Sequence, residues 1–225
     1  AWKEKRAKYI STIYDKLLVL LPFEPNYFKK YDLDTVFIGH PVIEQVNIKA
    51  DKNFKEKYNI KNTDKVITIF PGSRESEVKR HLELFLEALK IIKLNIKNIK
   101  IFCMSTDNVK SLTKKILSNN DLSITIVDEY KDKKNIFSIT NLAIAVSGTI
   151  SLELAVAKVP IIVAYKFHKI SYFFLKFLIN VKYGSLVNIL LNKEIIPEFI
   201  QSNATSENIA KLSYKMISDK KIIVN

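Results

Sequence analysis

Apolar and polar positions alternate in blocks along residues 66–165. Five short apolar runs, rich in Ile and Val, are typical of strands buried on both faces: 66–70, 99–104, 123–128, 141–146 and 160–165. Segments with helical spacing lie between them, near 107–118, at 150–158 and along the series Val78, Leu82, Phe85, Leu86, Leu89 and Ile92. The alternation predicts an α/β fold, a doubly wound parallel sheet with helices on both faces.

The first 65 residues carry a different pattern. Two apolar runs closed by proline, LLVLLPFEP at 17–25 and VFIGHP at 36–41, are predicted as buried strands. Residues 26–31 between them suggest one short helix. The lysine-rich stretch 47–65 has no long periodicity, which indicates a linker with a short helix.

The first candidate site is the loop Pro71-Gly72-Ser73-Arg74, which joins the strand at 66–70 to a helix. Ligands of parallel α/β sheets bind at the carboxyl ends of the strands, in loops of this kind. Gly72 lets the backbone approach a ligand closely, Ser73 can cap the following helix, and Arg74 adds a cation whose shape matches phosphate. An ordinary capped turn with a surface arginine is the alternative, and this loop alone does not decide between the two.

The second candidate site is Val146-Ser147-Gly148-Thr149, again a loop between a strand and a helix. Its glycine permits a close approach, and its hydroxyl groups stand at a helix N-terminus, which favours an anion. Glu153 lies one turn beyond Thr149, so both side chains can face the mouth of the site. A carboxylate there suits vicinal ribose hydroxyls, although a solvated helix residue is the plain alternative. Two such loops in one sheet favour a nucleotide with its phosphates.

The net charge of +13 first suggests a nucleic-acid partner. Only three of the 36 basic residues are arginines, however, and the forks that hold phosphates and base edges are mainly arginines. We therefore expect no nucleic acid, and rather attraction to an anionic membrane or substrate. The shares of hydrophobic and charged residues, 48% and 26%, are typical of a globular protein.

The remaining chemistry is mostly exclusion. Cys103 is the single cysteine and has no partner for an internal disulfide, which indicates a reducing, cytoplasmic setting. No apolar run reaches the ~18 residues of a membrane span, and the basic start AWKEKRAKYI is unlike a signal peptide. The sequence has no G-x-G-x-x-G, P-loop, H-E-x-x-H or nucleophile elbow. We expect no metal and no cofactor.

Six stretches, in order, resemble the lipid-A-disaccharide synthase family, glycosyltransferase family 19: AWKEKRAKYI, LLPFEPNYF, FIGHPVIEQ, PGSRESEVKRHL, AVSGTISLELAVAKVPIIVAYK and YGSLVNILLNKEIIPEFIQ. The resemblance implies an inverting transferase of the GT-B fold. Such enzymes pass 2,3-diacylglucosamine from UDP to 2,3-diacylglucosamine 1-phosphate (lipid X), giving the β-1,6-linked lipid A disaccharide 1-phosphate and UDP. The implied partners are UDP-2,3-diacylglucosamine and lipid X at the cytoplasmic face of the bacterial inner membrane, with a homodimer left open.

Position by position, the resemblance implies one substrate-binding set: Gly72, Ser73, Arg74, Ser147, Gly148, Thr149, Glu153, Asn188 and Gln201. Arg74 is expected near the diphosphate, the loop 147–149 at the phosphates, and Glu153 at the ribose. Asn188, in the stretch SLVNIL, is expected near the active cleft, and Gln201 is a polar position further downstream. From the residues alone, Asn188 is a turn or capping residue.

The resemblance also sets expected boundaries. The chain opens inside the family's W-A-W-K motif, and the upstream strand–loop–helix with the acidic general base is not in it. The last family helix is largely missing after Asp219. We expect residues 1–45 to be the end of an N-terminal, acceptor-side domain and 46–225 an incomplete UDP-sugar-binding domain, with no catalytic residue and no activity in this chain alone. The alternatives are another GT-B enzyme acting on a UDP-sugar, such as an epimerase, and a non-catalytic basic module that binds membranes.

Residues 166–183 combine aromatic and aliphatic side chains at helical spacing with interspersed lysines. A core helix packed on the sheet is the preferred interpretation. The functional alternative is an interfacial helix whose Phe173, Phe174 and Phe177 enter the headgroup region of a membrane. Acylated substrates would give such peripheral docking a purpose.

Overall fold

The computed structural model describes residues 5–42, 51–168 and 182–219. Residues 5–37 form a small unit: α1 (Lys5–Ser11), β1 (Lys16–Val19), α2 (Pro25–Phe28), a 3₁₀ turn (Lys29–Tyr31) and β2 (Asp34–Phe37). The two strands and the short helix predicted in this part of the sequence are confirmed.

These two strands are more exposed than predicted. They pair in parallel, with Leu18 opposite Val36. Nevertheless, Leu18 is 58% exposed and Phe37 is 46% exposed. The prediction that both are buried is wrong for the described residues. A parallel sheet is normally covered on both faces, and two strands with two short helices contain too few residues to cover it.

Residues 51–168 and 182–219 form the larger unit, in which strands and helices alternate. Its strands are β3 (Lys65–Phe70), β4 (Ile99–Ser105), β5 (Ile124–Asp128), β6 (Leu142–Ala145), β7 (Ile161–Tyr165) and β8 (Glu198–Ile200). Its helices are α3 (Lys52–Lys57), α4 (Glu75–Asn95), α5 (Asp107–Leu117), α6 (Glu129–Ile139), α7 (Thr149–Val156), α8 (Leu186–Leu191), a 3₁₀ turn (Gln201–Asn203) and α9 (Ser206–Ser218). Every strand and helix predicted in this range is confirmed, whereas α6, α8, α9 and β8 were not predicted.

The six strands form one parallel sheet in the order β5-β4-β3-β6-β7-β8. The chain winds outward from β3 to β5, returns to β6 on the other side of β3, and then winds outward in the opposite direction. Strands β3 and β6 therefore mark the topological switch point. In sheets of this kind, the crevice outside the carboxyl ends of these strands is where ligands bind.

The core lies on both faces of the sheet, as a doubly wound fold requires. On one face, Ile67 and Ile69 of β3 pack with Phe85 of α4 and with residues of α5 and α9. On the other face, Phe70 and Phe137 belong to a second apolar cluster that α3, α6, α7 and α8 complete. The predicted doubly wound α/β fold is confirmed.

Candidate functional site

A cleft of about 330 Å³ opens at the carboxyl ends of β3 and β6. The fold brings the two predicted loops together on its wall, where the backbone N–H of Val146 donates to the carbonyl of Phe70 with an N–O distance of 3.1 Å. The lining residues are Phe70, Gly72, Ser73, Arg74, Glu77, Met104, Val146, Ser147, Gly148, Thr149, Ile150 and Glu153. All predicted binding residues except Asn188 and Gln201 are among them.

Position 72 favours glycine both by its backbone angle and by its close contact with the Glu77 side chain. Its φ of +117° lies in the region that favours glycine. A Cβ at this position would stand 2.6 Å from both Cβ and Oε2 of Glu77. The backbone therefore folds tightly over the Glu77 side chain, which no larger residue at position 72 would allow.

Ser73 does not cap α4, so that prediction is wrong. The helix begins at Glu75, with Arg74 as its N-cap residue. Glu77, in the third helical position, reaches back and accepts the N–H of Ser73 at 3.2 Å, which is a capping-box bond displaced by one residue. The carbonyl of Ser73 accepts a hydrogen bond from Nδ2 of Asn108 at 2.7 Å. Bonds from two helices thus fix the backbone of Ser73.

Arg74 forms an ion pair with Glu77 while staying accessible from the cleft. Its Nη1 lies 3.1 Å from Oε1 of Glu77. The side chain of Arg74 is 78% exposed, and that of Glu77 is 12% exposed. Because most of the Arg74 side chain is in contact with solvent, its guanidinium remains accessible to an anion that enters the cleft.

The second loop presents open space and an engaged hydroxyl. Gly148 is the N-cap residue of α7, with an extended φ of 167° that any residue can adopt, and a Cβ there would meet no protein atom within 4 Å. A requirement for glycine at this position would therefore come from whatever enters the cleft. Beside it, the hydroxyl of Ser147 donates to the carbonyl of Gly184. This bond ties the loop to the segment that leads into α8.

Glu153 lies on the cleft wall and forms an ion pair with Lys133 of α6. Its Oε2 lies 2.7 Å from Nζ of Lys133. The side chains are 16% and 25% exposed respectively, so the pair is largely shielded from water. The plain alternative for Glu153, a solvated helix residue, is therefore wrong. Its contact with ribose stays a prediction.

Asn188 is not among the residues that line the cleft, and it is fully buried in α8. Its Oδ1 accepts the N–H groups of Ile195 and Ile196, at 2.8 Å each. Its Nδ2 donates to the carbonyl of Ile196 at 2.7 Å and to Oε1 of Glu198 at 2.6 Å. A side-chain amide offers two donor and two acceptor positions, and all four are occupied by the protein. The place of Asn188 in the substrate-binding set stays a prediction, and these contacts favour an indirect contribution.

Glu198, which the sequence did not single out, connects Asn188 to the cleft. Its Oε2 accepts the N–H of Gly184 at 2.6 Å, and its Oε1 accepts the N–H of Ser185 at 2.7 Å. Gly184 in turn accepts the hydroxyl of Ser147. A series of hydrogen bonds therefore runs from Asn188 through Glu198 and Gly184 to the cleft wall.

Gln201 lies away from the cleft lining, at the start of the 3₁₀ turn after β8. Its φ of 55° is left-handed. Its Oε1 accepts the backbone N–H of Phe167 at 2.5 Å, which holds the chain just after β7. The substrate contact expected of Gln201 stays a prediction.

The buried His81 also binds the segment just after β7, at Lys166. The Nε2 of His81, on α4, accepts the N–H of Lys166 at 3.0 Å, so the ring proton lies on Nδ1, which donates to the carbonyl of Glu77 at 2.8 Å. Arg80 donates from Nη1 to the carbonyl of Lys166 at 3.1 Å. Burial of the ring lowers the pKa of His81 below its ordinary value of 6.5. The neutral ring is therefore the form that this contact needs.

Two further kinds of site concern the possible metal ligands among the described residues and the thiol of Cys103. No group of three or more His, Cys, Asp or Glu side chains is placed there to hold a metal ion. Burial raises the pKa of the Cys103 thiol to about 12, which makes it a poor nucleophile.

The segment 166–183 falls mostly on residues 169–181, outside the described residues. Both its preferred interpretation as a core helix and the alternative of an interfacial helix with Phe173, Phe174 and Phe177 at a membrane therefore stay predictions. Within the ranges 5–42, 51–168 and 182–219, no helix is both long and apolar enough to cross a membrane.

Comparison with known proteins decides the family. The family model described as lipid-A-disaccharide synthetase matches residues 1–224. This chain belongs to the lipid-A-disaccharide synthase family. A lipid-A-disaccharide synthase of Rickettsia conorii is 38% identical over 223 residues, which are 98% of this chain and 49% of that protein. The Rickettsia typhi lipid-A-disaccharide synthase is 36% identical over 220 residues, 97% of this chain and 57% of that protein. The chain therefore spans about half the length of the curated family members that it matches.

Solved structures confirm the GT-B type fold. The UDP-GlcNAc 2-epimerase from Neisseria meningitidis, bound to UDP-GlcNAc, matches with a TM-score of 0.62 at 13% identity, over 95% of this chain and 56% of that one. WaaG, a glycosyltransferase involved in lipopolysaccharide biosynthesis, matches with a TM-score of 0.56 at 13% identity, over 92% of this chain and 55% of that one. At such low identity, this likeness concerns the fold alone.

Proposed function

We propose that the cleft binds the uridine diphosphate part of UDP-2,3-diacylglucosamine. The observation that carries this proposal is the meeting of both loops at the switch point, with Arg74 and Glu153 on the wall of one cleft. Membership of the lipid-A-disaccharide synthase family supports it. The structural neighbour from Neisseria meningitidis, which holds UDP-GlcNAc, supports it as well.

Each part of the cleft then has a task. The diphosphate lies between the guanidinium of Arg74, which forms charge-assisted hydrogen bonds, and the loop 147–149 at the N-terminus of α7. The carboxylate of Glu153 accepts hydrogen bonds from the ribose. As the bond to the sugar breaks, negative charge grows on the departing UDP, and the same cation and backbone dipoles stabilise that charge.

We further propose that the whole protein transfers 2,3-diacylglucosamine from UDP to lipid X, with inversion, at the cytoplasmic face of the inner membrane. Inverting transfer needs a base that deprotonates the acceptor hydroxyl. We place that base in the part of the family's length that this chain does not span, with residues 1–45 in the acceptor-side domain and 46–225 in the UDP-sugar-binding domain. Mass spectrometry of the product that the whole protein forms from these two substrates would test the reaction.

Replacement of Arg74 tests the binding proposal on this chain. Hydrogen bonds to charged groups contribute about 1.5–3 kcal/mol each, so Arg74→Ala should weaken UDP binding roughly tenfold or more. Arg6→Ala, which removes an exposed arginine of α1, is the matched control and should bind UDP like the unchanged chain. Calorimetry showing equal UDP affinity in Arg74→Ala and in the control would contradict the proposal.

A further inference from the structure

The ion pair between Lys133 and Glu153 joins two helices at the edge of the cleft. Nζ of Lys133 lies 2.7 Å from Oε2 of Glu153, and both side chains are largely shielded from water. Glu153 lines the cleft, whereas Lys133 is not among the lining residues. Any effect of Lys133 on a bound molecule therefore passes through Glu153 or through the electric field of its charge.

Recognition of vicinal hydroxyls depends on the direction of the carboxylate. The ammonium group of Lys133 takes Oε2 and so opposes rotation of the Glu153 carboxylate about its last bond. Among the side chains that the structure describes, none forms a hydrogen bond with the other oxygen, Oε1. An ion pair shielded from water is also screened less by salt than one on the surface. The pair thus holds one oxygen and leaves the other for a ligand.

We propose that Lys133 is a positioning residue that sets the preference of the cleft for ribonucleotides over 2′-deoxyribonucleotides. The proposal rests on the proposed function, because it assumes that Glu153 faces the ribose. By holding Oε2, Lys133 directs Oε1 toward the sugar hydroxyls. It also compensates the charge of an acid that would otherwise repel the neighbouring diphosphate.

A purely electrostatic contribution of Lys133 can be distinguished from this positioning. A positive charge near the cleft attracts every nucleoside diphosphate, with or without a 2′-hydroxyl. A correctly directed carboxylate strengthens the binding of the ribonucleotide alone. The informative quantity is therefore the ratio of the affinities for UDP and 2′-deoxy-UDP, and not the affinity for either.

Calorimetry with UDP and 2′-deoxy-UDP on the 225-residue chain measures this ratio. A hydrogen bond to a charged group changes affinity roughly tenfold, so we expect the unchanged chain to prefer UDP by about that factor. Glu153→Gln should lose most of the preference. Lys133→Met should reduce the preference about threefold or more, because the Glu153 carboxylate is no longer held. Lys133→Arg, which keeps the cation, should retain most of it.

Two controls complete the design. Lys134→Met removes the charge of an exposed neighbour on the same helix and should leave the ratio unchanged. In the Glu153→Gln background, Lys133→Met should have no further effect on the ratio, because the residue acts through the carboxylate. In the double variant, no shielded carboxylate is left without its cation. A change of the ratio in this variant therefore cannot be attributed to a folding defect of that kind.

The outcomes separate the two proposals. If Lys133→Met weakens UDP and 2′-deoxy-UDP equally, or lowers the ratio further in the Glu153→Gln background, the inference about Lys133 is wrong and the proposed function stands. If the unchanged chain does not bind UDP, or Glu153→Gln keeps the full preference, the proposed placement of the nucleotide is wrong, and the inference about Lys133 is wrong with it.

Discussion

At the scale of single residues, the polar groups around the cleft are held by one another. Glu77 holds Arg74 in an ion pair, and the hydroxyl of Ser147 is bound by Gly184. The carboxylate of Glu198 accepts the backbone N–H of the same Gly184. Groups that are held in place before a reaction need little reorganisation when charge develops. If the proposed reaction takes place in this cleft, the polar groups are already held in place, by side chains that line the cleft and by others that do not.

Glu198 gives the residue-scale prediction. Its carboxylate accepts hydrogen bonds from two backbone N–H groups and from Asn188, so all three partners are donors. Glu198→Gln keeps the size and shape of the side chain but replaces one carboxylate oxygen, an acceptor, with an N–H₂ group, a donor. That group then faces another donor, and buried polar groups are left without a partner. We expect the free energy of unfolding to fall by roughly 1–3 kcal/mol. Urea denaturation would measure the change, with the exposed Glu194→Gln as matched control. Equal stability of the two variants would contradict the importance of this carboxylate.

The sequence could identify some site residues and not others, for a physical reason. Arg74 and Glu153 follow apolar strands at short distances along the chain, so a local pattern was enough to select them. Glu77 carried a weak signal, an acid in the first turn of a helix. Lys133 contributes through its contact with Glu153, which is 20 positions away in the sequence. Glu198 contributes through contacts such as that with Asn188, which is 10 positions away. No periodicity announces such contacts.

At the scale of elements, the strands that lie on apolar runs were predicted, and β8, which does not lie on one, was not. Strand β8 has three residues and contains Glu198, so no apolar run indicated it. Helix α6 is polar over most of its length, and its buried residues Ile136, Phe137 and Ile139 are concentrated in its last turns. The burial of β1 and β2 was predicted wrongly because an apolar run indicates a strand but does not say what covers it.

The contact between α4 and the end of β7 gives the element-scale prediction. His81 is buried in its neutral form, with its pKa lowered mainly by burial, and it accepts the N–H of Lys166 through Nε2. The unfolded chain, with an ordinary pKa of 6.5 for this ring, takes up the proton first as the pH falls. The stability that His81 contributes is thus fully present above pH 6.5 and declines below it, toward the lowered pKa of the folded state.

We therefore expect the free energy of unfolding to decrease from pH 7.5 to pH 5.5, where carboxylates are still ionised (typical pKa about 4). His81→Gln should flatten this dependence, since its side chain does not titrate. Chemical denaturation across this range would measure both chains. Parallel profiles for the unchanged chain and His81→Gln would show that His81 is not the group responsible.

At the scale of the whole molecule, the order of the strands creates the cleft. Because β3 is paired with β4 on one side and with β6 on the other, the loops after β3 and β6 meet although Ser73 and Gly148 are 75 positions apart in the sequence. The alternation of strands and helices predicted a parallel sheet but not its strand order. That the two loops belong to one cleft became a finding only with the sheet topology.

A crystal structure of the 225-residue chain with UDP tests this arrangement most directly. We expect the diphosphate between Arg74 and the loop 147–149, within hydrogen-bond distance of both, and the ribose hydroxyls at the carboxylate of Glu153. UDP bound outside the cleft, or bound with its ribose turned away from Glu153, would contradict the proposed role of the two loops.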